Sequence, residues 1–172
     1  MRNPIIRSLT LTALLATGLG AAELEGVERQ VRHELVMLPY YSVFDNLTFQ
    51  VRDSTVTLAG QVTQPTLRSA AERVVQRIEG ISEVINKIEV LPVSSNDDRI
   101  RSAVFRAIYY HPVLSRYAIQ SVPPIHIIVK NGDVTLEGVV HNTAEKNIAG
   151  VQANGVAGVF SVVNSLAVET RE

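Results

Sequence analysis

Val134-Thr135-Leu136-Glu137-Gly138 occurs a second time in this chain, as Val56-Thr57-Leu58-Ala59-Gly60. The agreement extends well beyond these five residues. The same 78-residue shift carries Gly80 onto Gly158, Val84 onto Val162, Asn86 onto Asn164, Ile88 onto Leu166 and Val90 onto Val168. Upstream it carries Leu47, Phe49 and Val51 onto Ile125, Ile127 and Val129. An ungapped match from Leu47 to Val90 is a small module written twice, the signature of a tandem architecture.

The elements of the module follow from periodicity. Each copy opens with an amphipathic helix, striped by Val27, Val31, Leu35 and Leu38 in the first and by Ile100, Val104 and Ile108 in the second. Asp97 or Asp98 is placed to cap the second helix, and Pro39 and Pro112 mark the two ends. These helices match at a shift of 73, so the connection after the helix is five residues longer in the second copy. A hairpin follows. Leu47, Phe49 and Val51, or Ile125, Ile127 and Val129, alternate with their neighbours at the period of a strand with one buried face. Asn131-Gly132 suits a type I′ turn, which needs positive φ at both central residues, and Asp53-Ser54 is its poorer counterpart.

The return strand buries Val56 and Leu58, or Val134 and Leu136, and ends at Gly60 or Gly138, a glycine expected to lie under a crossing helix. A second helix is expected from about Thr66 to Glu79 and from about Thr143 to Ala157, stopped by Gly80 and Gly158 in the left-handed conformation. Gly150 and Gly155 weaken the second of these, at about 1 kcal/mol each against alanine. The last strand runs parallel to a hairpin strand by a right-handed crossover. It turns Asn86 or Asn164 inward to satisfy backbone groups. The fold class is therefore α+β: two tandem αββαβ modules, each a three-stranded mixed sheet with two helices packed on it.

Residues 1–22 read as a secretory signal peptide. Arg2 and Arg7 precede an apolar run from Leu9 to Leu19, too short to span a bilayer, and Gly20-Ala21-Ala22 offers a cleavage site. The expected layout is a first domain at 23–91, a linker at 92–96 and a second domain at 97–170. Removal of residues 1–22 leaves 14 basic and 17 acidic residues, a net charge of −3. Residues 23–92 carry 7 basic and 10 acidic side chains and residues 93–172 carry 7 of each, so neither half is a general nucleic-acid binder. The chain has no cysteine, which removes disulfides, thiol chemistry, thiolate metal sites and a lipid-bearing cysteine after the apolar run.

Residue types that carry catalysis are scattered. His33, His111, His126 and His141 lie far apart, without metal-ligand spacing. No nucleophile elbow and no glycine-rich phosphate loop is present. The expectation is a non-enzymatic protein with no metal and no cofactor.

The repeated strand ending in glycine, the steps Gly80-Ile81 and Gly158-Val159, and the following Val84-x-Asn86 and Val162-x-Asn164 together resemble the BON (bacterial OsmY and nodulation) domain family. The likeness extends over essentially all of the chain after residue 22 and is greatest to dual-BON periplasmic proteins of Gram-negative bacteria. It implies an αββαβ fold, an envelope location, a link to osmotic or membrane stress, phospholipid binding and no catalytic residues.

The first helix of the second copy departs most from its twin. On a helical wheel anchored at Ile100, Phe105 and Tyr109 fall on the outer side, flanked by Arg101 and Arg106. The longer connection adds Arg116 and Tyr117, and Arg32 and Val36 stand at the first-copy positions of Phe105 and Tyr109. Aromatic rings beside arginines suit a membrane interface, where rings sit at headgroup depth and guanidinium groups meet phosphate. The six residues Arg101, Phe105, Arg106, Tyr109, Arg116 and Tyr117 are therefore the candidate lipid-binding set. The alternative is that Phe105 and Tyr109 pack against the long connection or the first module. The function expected is reversible, peripheral attachment of a periplasmic envelope-stress protein to anionic phospholipid headgroups through its second domain. A protein adaptor or periplasmic chaperone, using the same face on an envelope partner, is the alternative.

Overall fold

The computed structural model describes residues 17–120 and 123–169. The expected signal peptide lies outside the described residues as far as residue 16. The first helix, α1, begins at Thr17 and runs to Val36, so the expected cleavage point after Ala22 falls within it. Among the described residues no helix is long and apolar enough to cross a membrane.

Two α+β modules follow one another. In the first, α1 leads to β1 (Asn46–Arg52), β2 (Thr55–Val62), helix α2 (Pro65–Val75), β3 (Glu83–Asn86) and β4 (Glu89–Val90). In the second, α3 (Ser95–Tyr109) is followed by a 3-10 turn at Ser115–Ile119. Then come β5 (Ile125–Lys130), β6 (Asp133–Val140), α4 (Thr143–Asn154), β7 (Ser161–Asn164) and β8 (Ala167–Val168). The hairpin strands pair antiparallel in both copies. The last strand is broken into two short pieces that lie parallel to the central strand, β3 and β4 on β2 and β7 and β8 on β6.

The paired asparagines explain that break. Asn86 Oδ1 accepts from the amide of Ile88, past the interruption, while its Nδ2 donates to the Arg68 carbonyl of α2 at 3.0 Å and to Glu72 at 2.9 Å. Asn164 repeats the arrangement with Leu166 and the Lys146 carbonyl of α4. Each asparagine thus satisfies strand and helix groups at once, as buried polar groups require. Gly150 stands where the first copy has Glu72, and a Cβ there would meet the Asn164 amide at 2.7 Å.

Three local expectations are corrected. Gly60 and Gly138, with φ of +107° and +115°, do not make room for a helix: a Cβ at either would collide with the carbonyl of Asn46 or Pro124, on the neighbouring hairpin strand or just before it. The close approach comes from the backbone beside them in the sheet. Helices α2 and α4 stop four and three residues earlier than expected, and the chain continues in tighter turns such as Arg77 N–H to Val74 O and Ile78 N–H to Val75 O. Ile78 remains buried in that tail, which is why the apolar period outlasts the helix. Gly80 and Gly158 adopt positive φ beyond it. Finally, α3 is capped by Ser94, whose hydroxyl accepts from the Asp97 amide. Asp97 instead turns its buried carboxylate to the hairpin tip and accepts from the amides of Asn131 and Gly132, each at 2.9 Å.

The modules are docked. The loop between α1 and β1 places the Val43 carbonyl against the outer edge of β5, where it accepts from the Ile127 amide at 2.7 Å. Val43 is buried in the second module's core rather than in its own, with Phe44 packed alongside. Lys130 and Glu89 form an ion pair across the same boundary at 2.6 Å.

Candidate functional site

Helix α3 determines what the six sequence candidates can do. Ile100, Val104 and Ile108 are fully buried against the sheet, as their period requires. In the neighbouring stripe, packed toward β5, Arg101 and Tyr109 are buried and Phe105 is partly buried. Arg101 is only 5% exposed, donates to the Val129 carbonyl at 2.7 Å and pairs with Asp98. The Tyr109 hydroxyl donates to the Ile125 carbonyl at 2.6 Å and accepts from the Ile125 amide at 3.2 Å. Burial pushes this hydroxyl's pKa well above its ordinary 10. Phe105 is partly buried, its ring 4.8 Å from that of Tyr109 and 6.1 Å from that of Phe44.

The longer connection folds back in a similar way. Tyr117 is buried, its hydroxyl donating to Glu145 and accepting from the His141 amide at 2.8 Å. Burial pushes its pKa up to about 12, reinforced by the Glu145 contact. Burial raises the Glu145 carboxyl in turn, but Tyr117, the Arg116 guanidinium and the His141 amide outweigh it and hold the group below its ordinary 4.5. Arg116 pairs with Glu145 at 3.0 Å while remaining about half exposed.

The outward aromatic face expected from the helical wheel therefore does not form. A wheel places residues around one axis and cannot show that an edge strand and a loop from the other module cover the second side. Of the six, Arg106 is exposed and Arg116 about half exposed. What the connection exposes instead is Tyr110 (72%), Ile119 (87%) and, less fully, Val113. The signal for them in the sequence was the five-residue excess of this connection.

The first module has a different surface at the matching place. Without Phe105 and Tyr109, which Arg32 and Val36 replace, its hairpin strand is not covered. Leu47, Phe49 and Val51 are half-buried, whereas Ile125, Ile127 and Val129 are fully buried. The uncovered space is a groove of about 320 Å³ between the modules. Leu35, Val36, Leu47 and Phe49 form one wall, and Pro124, His126 and Val139 of the second module form the other. Arg32 lies over the Phe49 ring, its guanidinium carbon 5.4 Å from the ring centre, a cation–π geometry. Tyr41 is partly buried beside this strand, and burial raises its pKa above the ordinary 10, partly offset by the backbone of Leu47, the counterpart of Ile125.

His126 closes the groove from the far side. Its ring lies 5.7 Å from that of Tyr41, and its Nδ1 is 2.6 Å from the Asp45 carbonyl, a bond in which Nδ1 is the protonated donor and Nε2 is left as an acceptor. Burial lowers the His126 pKa below the ordinary 6.5. The Asp45 carboxylate is fully buried and accepts from the amide and hydroxyl of both Ser42 and Thr63, which fixes the loop that carries Tyr41 and Val43. Among the described residues no group of acidic, histidine or cysteine side chains is arranged to hold a metal ion.

The sequence model of the BON domain matches residues 23–92 and again residues 96–170. A comparison with curated proteins finds no match. Among solved structures the chain is similar to the C-terminal domain of CdsD, the structural protein of the type III secretion system of Chlamydia trachomatis. That match has 12% identity, covers 83% of this chain and 96% of that one, and has a TM-score of 0.29. A second structure of CdsD from the same organism matches at 15% identity, covering 86% and 94%, with a TM-score of 0.32. Superpositions this loose leave the assignment to the two sequence matches.

Proposed function

The chain belongs to the BON domain family, with two copies in tandem, and from that membership we propose that it is a periplasmic envelope-stress protein that attaches reversibly to anionic phospholipid surfaces through its second domain. BON domains are associated with membrane or phospholipid binding and are in general non-catalytic. The surface we assign is the segment from Arg106 to Ile119, not the buried stripe of Arg101 and Tyr109. The observation that carries the reading is the exposure of Tyr110, one turn after Arg106, and of Ile119 further along the same connection. Among the described residues Arg106 has no carboxylate partner within ion-pair distance. A ring and an aliphatic chain that enter the headgroup layer beside a guanidinium group on phosphate are the ingredients of peripheral attachment. With a net charge of −3 after residue 22, an anionic bilayer repels the protein as a whole, so attachment depends on this local patch.

Vesicle flotation tests the proposal. The protein is expected to float with phosphatidylglycerol-containing vesicles at low salt, less at high salt, and little with phosphatidylcholine alone. The triple variant Tyr110→Ser, Ile119→Ser and Arg106→Gln changes exposed side chains only and is expected to remain in the unbound fraction. Equal flotation of this variant, shown to be folded by circular dichroism, would exclude the surface. Flotation indifferent to lipid charge would exclude the headgroup mechanism.

A further inference from the structure

The groove between the modules is built by a substitution that left a space. At the two positions where the second module fills the gap between helix and hairpin with Phe105 and Tyr109, the first has Arg32 and Val36. One consequence is apolar surface left uncovered: Leu47, Phe49 and Val51 are half-buried where their counterparts have no contact with water. The other is a lone cation at the groove's edge. The lining contains Arg32 and no carboxylate. The volume of about 320 Å³ is at the lower end of small-ligand sites, roughly 300–1,000 Å³, and holds about ten groups of water size, at about 30 Å³ each. That is room for one alkyl chain and not for two.

We propose that this groove is a binding site for a single-chain amphiphile with an anionic head group, the chain lying between Leu35, Leu47 and Phe49 on one wall and Pro124 and Val139 on the other, the head group on Arg32. The charge pattern selects the head: an anion meets a guanidinium with no competing carboxylate, while a cationic head meets repulsion. The apolar walls select the chain, because covering half-buried Leu47 and Phe49 restores the burial their counterparts have. The site needs both modules, since neither wall is sufficient alone. It is separate from the Arg106–Ile119 surface and does not depend on the membrane reading.

Dodecyl phosphate, titrated calorimetrically below its micelle concentration, is the probe. One molecule is expected to bind per chain and saturably, with dodecyltrimethylammonium much weaker and inorganic phosphate alone undetectable. Arg32→Gln, at an exposed position, is expected to weaken binding about tenfold. Val36→Tyr places in the first module the side chain that closes the second, and is expected to abolish binding without lowering the thermal midpoint. If that variant fails to fold, Val139→Phe blocks the groove from the other wall. The triple variant Tyr110→Ser, Ile119→Ser and Arg106→Gln should bind dodecyl phosphate like the parent, and Val36→Tyr should float on vesicles like the parent, so the two proposals fail separately. The groove assignment is overturned if the parent shows no saturable binding, if inorganic phosphate binds as tightly as dodecyl phosphate, or if a folded, groove-blocked variant binds unchanged.

Discussion

Tyr109 and Val36 occupy the same place in two copies of one module, and the difference between them determines which copy is closed. The Tyr109 hydroxyl, buried over β5, makes both a donated and an accepted hydrogen bond with the backbone of Ile125. Tyr109→Phe keeps the ring and leaves a buried amide and carbonyl with one partner fewer. The expected cost is about 1–3 kcal/mol, read as a lower urea midpoint at unchanged slope. A lipid-facing tyrosine would show almost no change. Periodicity could identify the inward stripe of Ile100, Val104 and Ile108, because burial against a sheet imposes it. It could not tell whether the next stripe met water or a strand edge. Arg101 misled for the same reason: a guanidinium that caps the Val129 carbonyl looks, in sequence, like one available to phosphate.

At the scale of elements, the glycines within β2 and β6 are the least replaceable part of each hairpin. Gly138 combines a φ of +115° with a backbone carbonyl in the space a Cβ would occupy. Gly138→Ala is expected to cost at least about 2 kcal/mol, from backbone strain and overpacking together. Gly155, at φ −77° with only ordinary contacts around its missing Cβ, is the control. Gly155→Ala should be neutral or should gain up to about 1 kcal/mol through the unfolded chain. Thermal unfolding of the two variants side by side checks both. That these glycines mattered was legible from their recurrence. What they approach was not, since a bulge against a neighbouring strand and a crossing under a helix both select glycine in a strand.

The whole molecule is held together by the loop from Tyr41 to Asp45, which reaches into the second module. Val43 bonds the edge of β5, and the Asp45 carbonyl accepts from His126. His126 makes this docking sensitive to pH. Its folded-state pKa lies below the ordinary 6.5 because the ring is buried, so the unfolded chain binds the extra proton first. Stability that is full above 6.5 is therefore expected to decline as pH falls through that value toward the lower folded pKa. His126→Gln keeps an amide donor for the Asp45 carbonyl and cannot titrate, so its thermal midpoint should fall less than the parent's between pH 7.5 and 5.5. Parallel declines in the two proteins would place the sensitivity elsewhere. The sequence alone determined the duplicated αββαβ order, the hairpin at Asn131-Gly132 and the inward asparagines, because each rests on a local period or a backbone requirement repeated twice. Which copy is filled, and where a groove is left, was decided only by tertiary structure. A core forms wherever the chain brings apolar faces together, and here it draws Val43 out of its own repeat and into the other.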